Sequence, residues 1–134
     1  MKRGHLESYR HPDTREPLRL VETEVDGDEV LEGALEASGD SFPIVRGIPR
    51  FCPEANYADN FGYQWNHFRE TQLDSKRGWD SWSATRLFTE TKWPRDLEGQ
   101  RILEAGSGAG RFTELLANAG ADICSFDYSS AVEA

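Results

Sequence analysis

Residues 1–55 alternate short apolar runs with turn signals, a pattern typical of β-strands. One run over residues 18–25 and another over 29–35 flank Asp26-Gly27-Asp28, which favours a tight turn. A further strand is predicted over residues 41–45. The pattern therefore predicts a small β-rich domain at the front of the chain.

Residues 56–98 are rich in aromatic side chains and predict two helices. Over residues 59–72 the aromatic positions fit one helical face, and residues 83–92 form a second candidate, closed by Trp93-Pro94 because proline cannot continue a helix. These aromatic side chains are either core residues or a cover over a cofactor, and the pattern leaves both readings open.

From residue 99 the pattern changes to strand, glycine turn, helix and strand. Residues 101–105 predict a buried strand, and residues 121–126 predict the next one. Between them, four apolar residues recur on one helical face: Phe112, Leu115, Leu116 and Ala119. This order predicts a βαβ unit with a parallel sheet.

Composition narrows the functional classes. The length of 134 residues suits one domain, or a small module with part of a larger one. A net charge of -9 argues against nucleic-acid binding, which requires a basic face. The chain lacks an apolar run of about 18 residues, and its polar start lacks a signal-peptide core. With two cysteines, Cys52 and Cys124, we expect reduced thiols, no membrane association and a cytoplasmic location.

The glycine turn carries the candidate chemistry, because glycines let backbone approach a nucleotide closely. Gly106 and Gly108 fit a dinucleotide fingerprint, but Gly110 comes one residue too early for it. Glu104 would repel a pyrophosphate, whereas it suits the cationic groups of S-adenosylmethionine (SAM). Asp127 is placed to accept hydrogen bonds from ribose hydroxyls, a feature that NAD sites share.

A family resemblance sharpens this prediction. Residues 102–113 resemble the first motif of class I SAM-dependent methyltransferases, and residues 125–129 resemble the second. The resemblance implies an α/β chain that opens a Rossmann-like SAM-binding parallel sheet, with strands 1 and 2 only. It also implies these cofactor-binding residues: Glu104, Gly106, Ser107, Gly108, Gly110, Asp127 and Tyr128.

The front of the chain resembles a different protein. Residues 31–35 and 42–49 are similar to the small zinc-ribbon-like activator of tRNA and protein methyltransferases. His11-Pro12-Asp13-Thr14 stands where that resemblance implies a Cys-x-x-Cys pair, and Ala37 stands at a later ligand position. A structural zinc needs four such ligands, so we expect this fold to form without a metal.

The middle of the chain resembles the lead-in of bacterial enzymes that fuse the two parts. Residues 60–66 and 71–75 carry this likeness, which implies a lid over the cofactor formed by Tyr63, Gln64 and Trp65. The expected domains are residues 1–55, the metal-free β-rich domain; 56–98, the aromatic helical segment; and 99–134, the start of the methyltransferase domain.

The resulting hypothesis is an enzyme that transfers a methyl group from SAM to an acceptor, expected to be a small molecule. The acceptor stays open between a metabolite, a sugar, a lipid-linked intermediate and a macromolecule, and no catalytic residue is assigned. Because strands after the second are missing, the fragment is expected to be inactive alone and to require the C-terminal half of the domain.

Two alternatives compete with this hypothesis. The first is a non-catalytic interaction module in which the front domain docks on a partner methyltransferase. The second is an NAD-dependent oxidoreductase, which Glu104 and the early Gly110 disfavour.

Overall fold

The structure, a computed structural model, describes residues 1–53, 59–68, 70–77 and 82–133. It divides the chain into two compact units, Met1–Pro53 and Glu54–Ala134. Two aromatic residues of the middle segment, Tyr57 and Trp79, lie outside the described residues. The predicted division into residues 1–55, 56–98 and 99–134 stays a prediction.

The first unit is an antiparallel sheet preceded by a 3-10 helix at Arg3–Ser8. Its strands follow one another in the order β1-β2-β3-β4. They are β1 at Arg19–Asp26, β2 at Glu29–Ala37, β3 at Asp40–Val45 and β4 at Ile48–Pro49. The predicted hairpin forms, because Asp26 pairs with Glu29 across the turn.

The first residue of the chain, the residue before β1, and residues of β2 and β3 make one core. The buried members of this cluster are Met1, Leu18, Val30, Leu35 and Ile44. Close approach of β1 to β2 depends on Gly33, where a Cβ would lie 2.2 Å from the carbonyl oxygen of Val21. Glycine at this position therefore permits the close pairing of β2 with β1.

The second unit contains a two-stranded parallel sheet, β5 at Arg101–Ala105 and β6 at Asp122–Phe126, joined by α4 at Arg111–Asn118. A 3-10 helix at Ser130–Glu133 follows β6. The preceding helices are α1 at Asp59–His67, α2 at Asp74–Arg77 and α3 at Trp82–Thr91.

The two faces of the parallel sheet differ in burial. On one face Ile102 joins Leu97 and Leu116 in a buried cluster. On the other face Leu103 is 70% exposed and Phe126 is 53% exposed. Among the described residues, the buried apolar layer of this sheet therefore lies on one of its faces.

The prediction of an α/β chain that opens a Rossmann-like parallel sheet is wrong. The larger described sheet is antiparallel, and the parallel sheet is separate and has two strands. The physical reason is that a strand, helix and strand pattern specifies the pairing of two neighbouring strands. It does not specify the rest of the sheet architecture or what covers the faces of the sheet. A Rossmann-type sheet is parallel and covered on both faces, whereas Leu103 is open to solvent here.

Within the described residues, none of the helices combines the length and apolarity needed to cross a lipid bilayer. The cytoplasmic location stays a prediction.

Candidate functional site

The loop between β5 and α4 has the left-handed backbone that favours glycine. The φ angles of Gly106, Gly108 and Gly110 are 74°, 55° and 86°. The amides of Gly106 and Ser107 donate to the carbonyl oxygen of Phe126 at 2.8 and 3.2 Å. These bonds fix the loop against the carboxyl end of β6, the edge where parallel sheets bind ligands.

Asp127 completes this arrangement from the end of β6. Its Oδ2 accepts the N–H of Gly108 at 2.8 Å, and its Oδ1 accepts the N–H and the hydroxyl of Ser129 at 2.8 and 2.7 Å. Burial would raise the pKa of this carboxyl, but hydrogen bonds from Ser129, Gly108 and Tyr128 outweigh that effect and hold the pKa below its ordinary value. Asp127 therefore organises the loop as an ionised group.

Glu104 lies half-buried near the end of β5. Its Oε2 accepts the hydroxyl of Thr113 at 2.6 Å and the hydroxyl of Ser125 at 2.7 Å. Thr113 belongs to α4 and Ser125 to β6, so one carboxylate joins three elements. The structure thus places a fixed negative charge two residues before the glycine loop.

The three predicted lid residues occupy different positions. Trp65 packs on the loop, with Nε1 3.7 Å from where a Cβ of Gly108 would lie. Tyr63 is 72% exposed and stacks on His67, with ring centroids 6.0 Å apart, and Gln64 is exposed. The structure therefore brings Trp65 into contact with the loop.

The remaining predicted residues lie beside these. Ser107 is half-buried, and Tyr128 is 44% exposed directly after Asp127. Sequence reasoning missed Ser129, although a serine two residues after an aspartate is a recognisable turn signal. It also missed Asn66, whose position on α1 gives no sequence signal of its partner, Ser130.

A second polar cluster fixes the start of α4. The carboxylate of Asp74 accepts the N–H groups of Ser83 and Ala84 at 3.2 and 3.0 Å and so caps α3. Arg111 donates from Nε to the hydroxyl of Ser83 at 2.9 Å. Although burial acts to raise the pKa of Asp74, the hydrogen bonds from Ala84 and Ser83 lower it below its ordinary value.

In the first unit, His11 lies in the loop where the resemblance to the activator implies a Cys-x-x-Cys pair. It is 2% exposed, its Nδ1 accepts the N–H groups of Asp13 and Thr14 at 3.2 Å each, and its Nε2 lies 2.9 Å from Asp40 Oδ2. The described part of the chain contains no cluster of three or more His, Cys, Asp or Glu able to hold a metal ion. Hydrogen bonds of His11 thus join the loop at residues 11–14 to Asp40 at the start of β3. That the first unit folds without a metal stays a prediction.

The chain thus combines an antiparallel sheet unit that has a histidine-centred loop with a strand, glycine loop, helix and strand unit. No family model matches it, and no curated protein matches it. A solved structure does: the complex between the Haloferax volcanii Trm112 methyltransferase activator and the putative methyltransferase. The match has 36% identity and a TM-score of 0.37, and it covers 40% of this chain and 93% of that chain.

Sequence identity at this level extends over nearly all of the matched chain. Through the covered 40% of its length, this chain belongs to the family of the Trm112 methyltransferase activator. The resemblance of the front segment to such an activator agrees with this finding.

The identification of the chain as a class I methyltransferase is wrong, and so is the expectation of an enzyme. The matched protein is an activator and not itself a class I methyltransferase. The physical reason is that a glycine turn followed by an acid after the next strand specifies a local loop geometry. That geometry does not supply the reacting groups or the acceptor pocket of a catalyst.

Proposed function

We propose that this chain is a non-catalytic, methyltransferase-associated module whose first unit binds a methyltransferase as an activator does. The observation that carries the proposal is the 36% identity over 93% of the activator chain. That activator was solved in complex with a putative methyltransferase, so the expected partner is a protein and not a small-molecule substrate.

The edge of the first sheet supports a protein partner. Strand β1 is the outermost strand and has β2 as its neighbour within the described residues. Its second half, from Glu22 to Asp26, is exposed, and Val25 in this stretch is 45% exposed. An exposed strand edge offers backbone N–H and C=O groups to a strand of another protein, which is the basis of β-augmentation.

The charges on this strand define the chemistry of the partner. Glu22, Glu24 and Asp26 all lie on β1 and are exposed, and Arg3 pairs with the first of them at 2.6 Å. A basic strand or a basic rim on the methyltransferase would complement this acidic edge. We expect the acidic residues to act mainly on the association rate and on partner choice.

The test uses the purified methyltransferase of the solved complex as the probe. We expect the chain to form a one-to-one complex in calorimetric titration and to compete with the authentic activator. Glu24→Lys should weaken binding about tenfold, because it reverses a charge at the interface. Glu7→Lys, which changes an exposed residue of the 3-10 helix, is the matched control. Absence of binding under conditions where the authentic activator binds contradicts the proposal.

A second candidate function concerns the glycine loop, and the position of Asp127 favours it. We propose that the second unit binds SAM without transferring its methyl group. The support is a loop of three left-handed glycines next to two carboxylates, Glu104 and Asp127. A carboxylate suits the sulfonium and ammonium cations of SAM and the hydroxyls of its ribose.

Calorimetric titration with SAM, and with NAD as the control ligand, tests this second proposal. We expect SAM to bind and NAD not to bind. Asp127→Ala should abolish SAM binding, whereas Asp122→Ala, at the opposite end of β6, should retain it. Binding of NAD in preference to SAM contradicts the assignment.

A further inference from the structure

Helix α1 meets the 3-10 helix after β6 at a very close backbone contact. A Cβ on Gly62 would lie 2.1 Å from Ser130 Oγ and 3.0 Å from Ser130 N. A Cβ at position 62 would force the Ser130 hydroxyl to move and would lie tightly against the backbone nitrogen of Ser130. Glycine at position 62 therefore permits the present close contact between the two elements.

Asn66, one helical turn further along α1, ties the same two elements together by hydrogen bonds. Its Nδ2 donates to the carbonyl oxygen of Gly62 at 2.9 Å and to that of Ser130 at 3.0 Å. One side-chain amide thus links the helix to Ser130 across a separation of 64 residues in the sequence. The two bonds restrict the rotation of the Asn66 amide and fix the position of α1 relative to Ser130.

The same helix also reaches the glycine loop. Trp65 packs against Gly108, while its neighbour Asn66 contacts Ser130. Gly108 follows β5 and Ser130 follows β6, so α1 touches the segments that leave both parallel strands. These contacts place α1 across the carboxyl end of the sheet.

A continuous set of hydrogen bonds connects these two segments beneath α1. Ser129, the neighbour of Ser130, donates from its N–H and its hydroxyl to Asp127 Oδ1, and Gly108 donates to Oδ2 of the same carboxylate. The hydroxyl of Ser129 also accepts the N–H of Ala131 at 3.2 Å. The position of Ser130 is therefore mechanically linked to the conformation of the loop.

We infer that Gly62 and Asn66 form a latch that holds α1 closed as a lid over the glycine loop. Opening of α1 and disordering of the loop are then one two-state equilibrium, because the Asn66–Ser130 bond and the Ser129–Asp127–Gly108 bonds share a short segment. The part of this inference that concerns a ligand rests on the proposed SAM site. A ligand held by the closed loop must bind more tightly when the latch is intact, and by the same factor it must strengthen the latch.

The latch is tested without any ligand by amide hydrogen exchange of the whole chain. In Asn66→Ala, we expect exchange at the Gly108 and Ser129 amides to rise about tenfold, the effect of losing about 1.4 kcal/mol of hydrogen bonding. Exchange at the amides of β5 and β6 should stay unchanged, which separates local opening from a general loss of stability. Asn118→Ala, an exposed asparagine at the end of α4, is the matched control.

Asn66→Asp sharpens the test, because it keeps the size of the side chain and replaces its donor by a carboxylate. That carboxylate would face the carbonyl oxygens of Gly62 and Ser130, so exchange at Gly108 should rise more than in Asn66→Ala. Unchanged exchange at Gly108 and Ser129 in both variants overturns the latch.

A SAM titration of the same variants separates the two proposals. If SAM binds, its dissociation constant should rise about tenfold in Asn66→Ala and stay unchanged in Asn118→Ala. Failure of the unsubstituted chain to bind SAM overturns the cofactor proposal. The latch is tested independently of SAM, by the exchange rates at Gly108 and Ser129.

Discussion

The imidazole Nε2 of His11 lies 2.9 Å from Oδ2 of Asp40, and this contact joins the first loop of the chain to the start of β3. Because Nδ1 of His11 accepts two backbone N–H groups, the neutral ring carries its proton on Nε2 and donates it to Asp40. The ring also packs edge-on against Phe42, with centroids 5.3 Å apart. A buried histidine here makes the cross-loop connections of the first unit.

Removal of this imidazole should destabilise the first unit. We expect His11→Ala to lower the free energy of unfolding by about 3 kcal/mol, because it leaves two amides without their acceptor and opens a buried cavity. Urea denaturation followed by far-ultraviolet circular dichroism measures the change. All four tryptophans lie in the second unit, so their fluorescence serves as an internal control.

Two further variants test the cause. Asp40→Asn keeps an acceptor oxygen and should cost about 1 kcal/mol or less. His67→Ala removes an exposed histidine and should leave the first unit unchanged. A His11→Ala chain as stable as the original would show that the loop is held by other contacts.

Gly33→Ala should also destabilise the first unit. The new Cβ would lie 2.2 Å from the carbonyl oxygen of Val21 and 3.3 Å from its carbonyl carbon, both backbone atoms that cannot rotate away. We expect a loss of about 2 kcal/mol or more in unfolding free energy, measured by urea denaturation. Gly4→Ala, where a Cβ meets nothing within 4 Å, should change it by less than about 0.5 kcal/mol. Equal stability of the two variants would contradict the tight β1–β2 approach.

The second unit should lose stability in acid. The pKa of Asp127 is lowered in the fold, so its stabilising effect is present above its ordinary pKa of 3.8 and is lost as the pH falls through the lower, folded value. Tryptophan fluorescence in urea at pH 7 and at pH 3 measures this change. Asp127→Asn should be less stable than the original at pH 7 and close to it in strong acid. Asp122→Asn, which alters an exposed pair with Arg101, should retain the acid dependence.

Removal of metal should leave the first unit folded. The loop at residues 11–14 lacks the cysteines of a zinc site, and His11 uses both ring nitrogens in hydrogen bonds. We expect the midpoint of thermal unfolding to be the same with and without a strong chelator. Stoichiometric zinc in the purified chain, together with unfolding on chelation, would contradict this prediction.

The local elements of this protein were determined by its sequence, because they depend on short-range periodicity. The turn at residues 26–28, the strand at Arg101–Ala105 and the glycine loop that follows it all form where the pattern predicts them. The placement of Asp127 after β6 also follows from the pattern, since a residue at a strand end needs no long-range information.

The tertiary structure alone decided how these elements combine. A local strand, helix and strand pattern specifies neither what covers the faces of the parallel sheet nor that the larger described sheet is a separate, antiparallel one, and this is why the Rossmann-like prediction failed. The partners of His11 and Asn66 lie 29 and 64 residues away in the sequence. Such contacts exist only after the chain has folded, because they depend on backbone segments that meet through packing and not through sequence proximity.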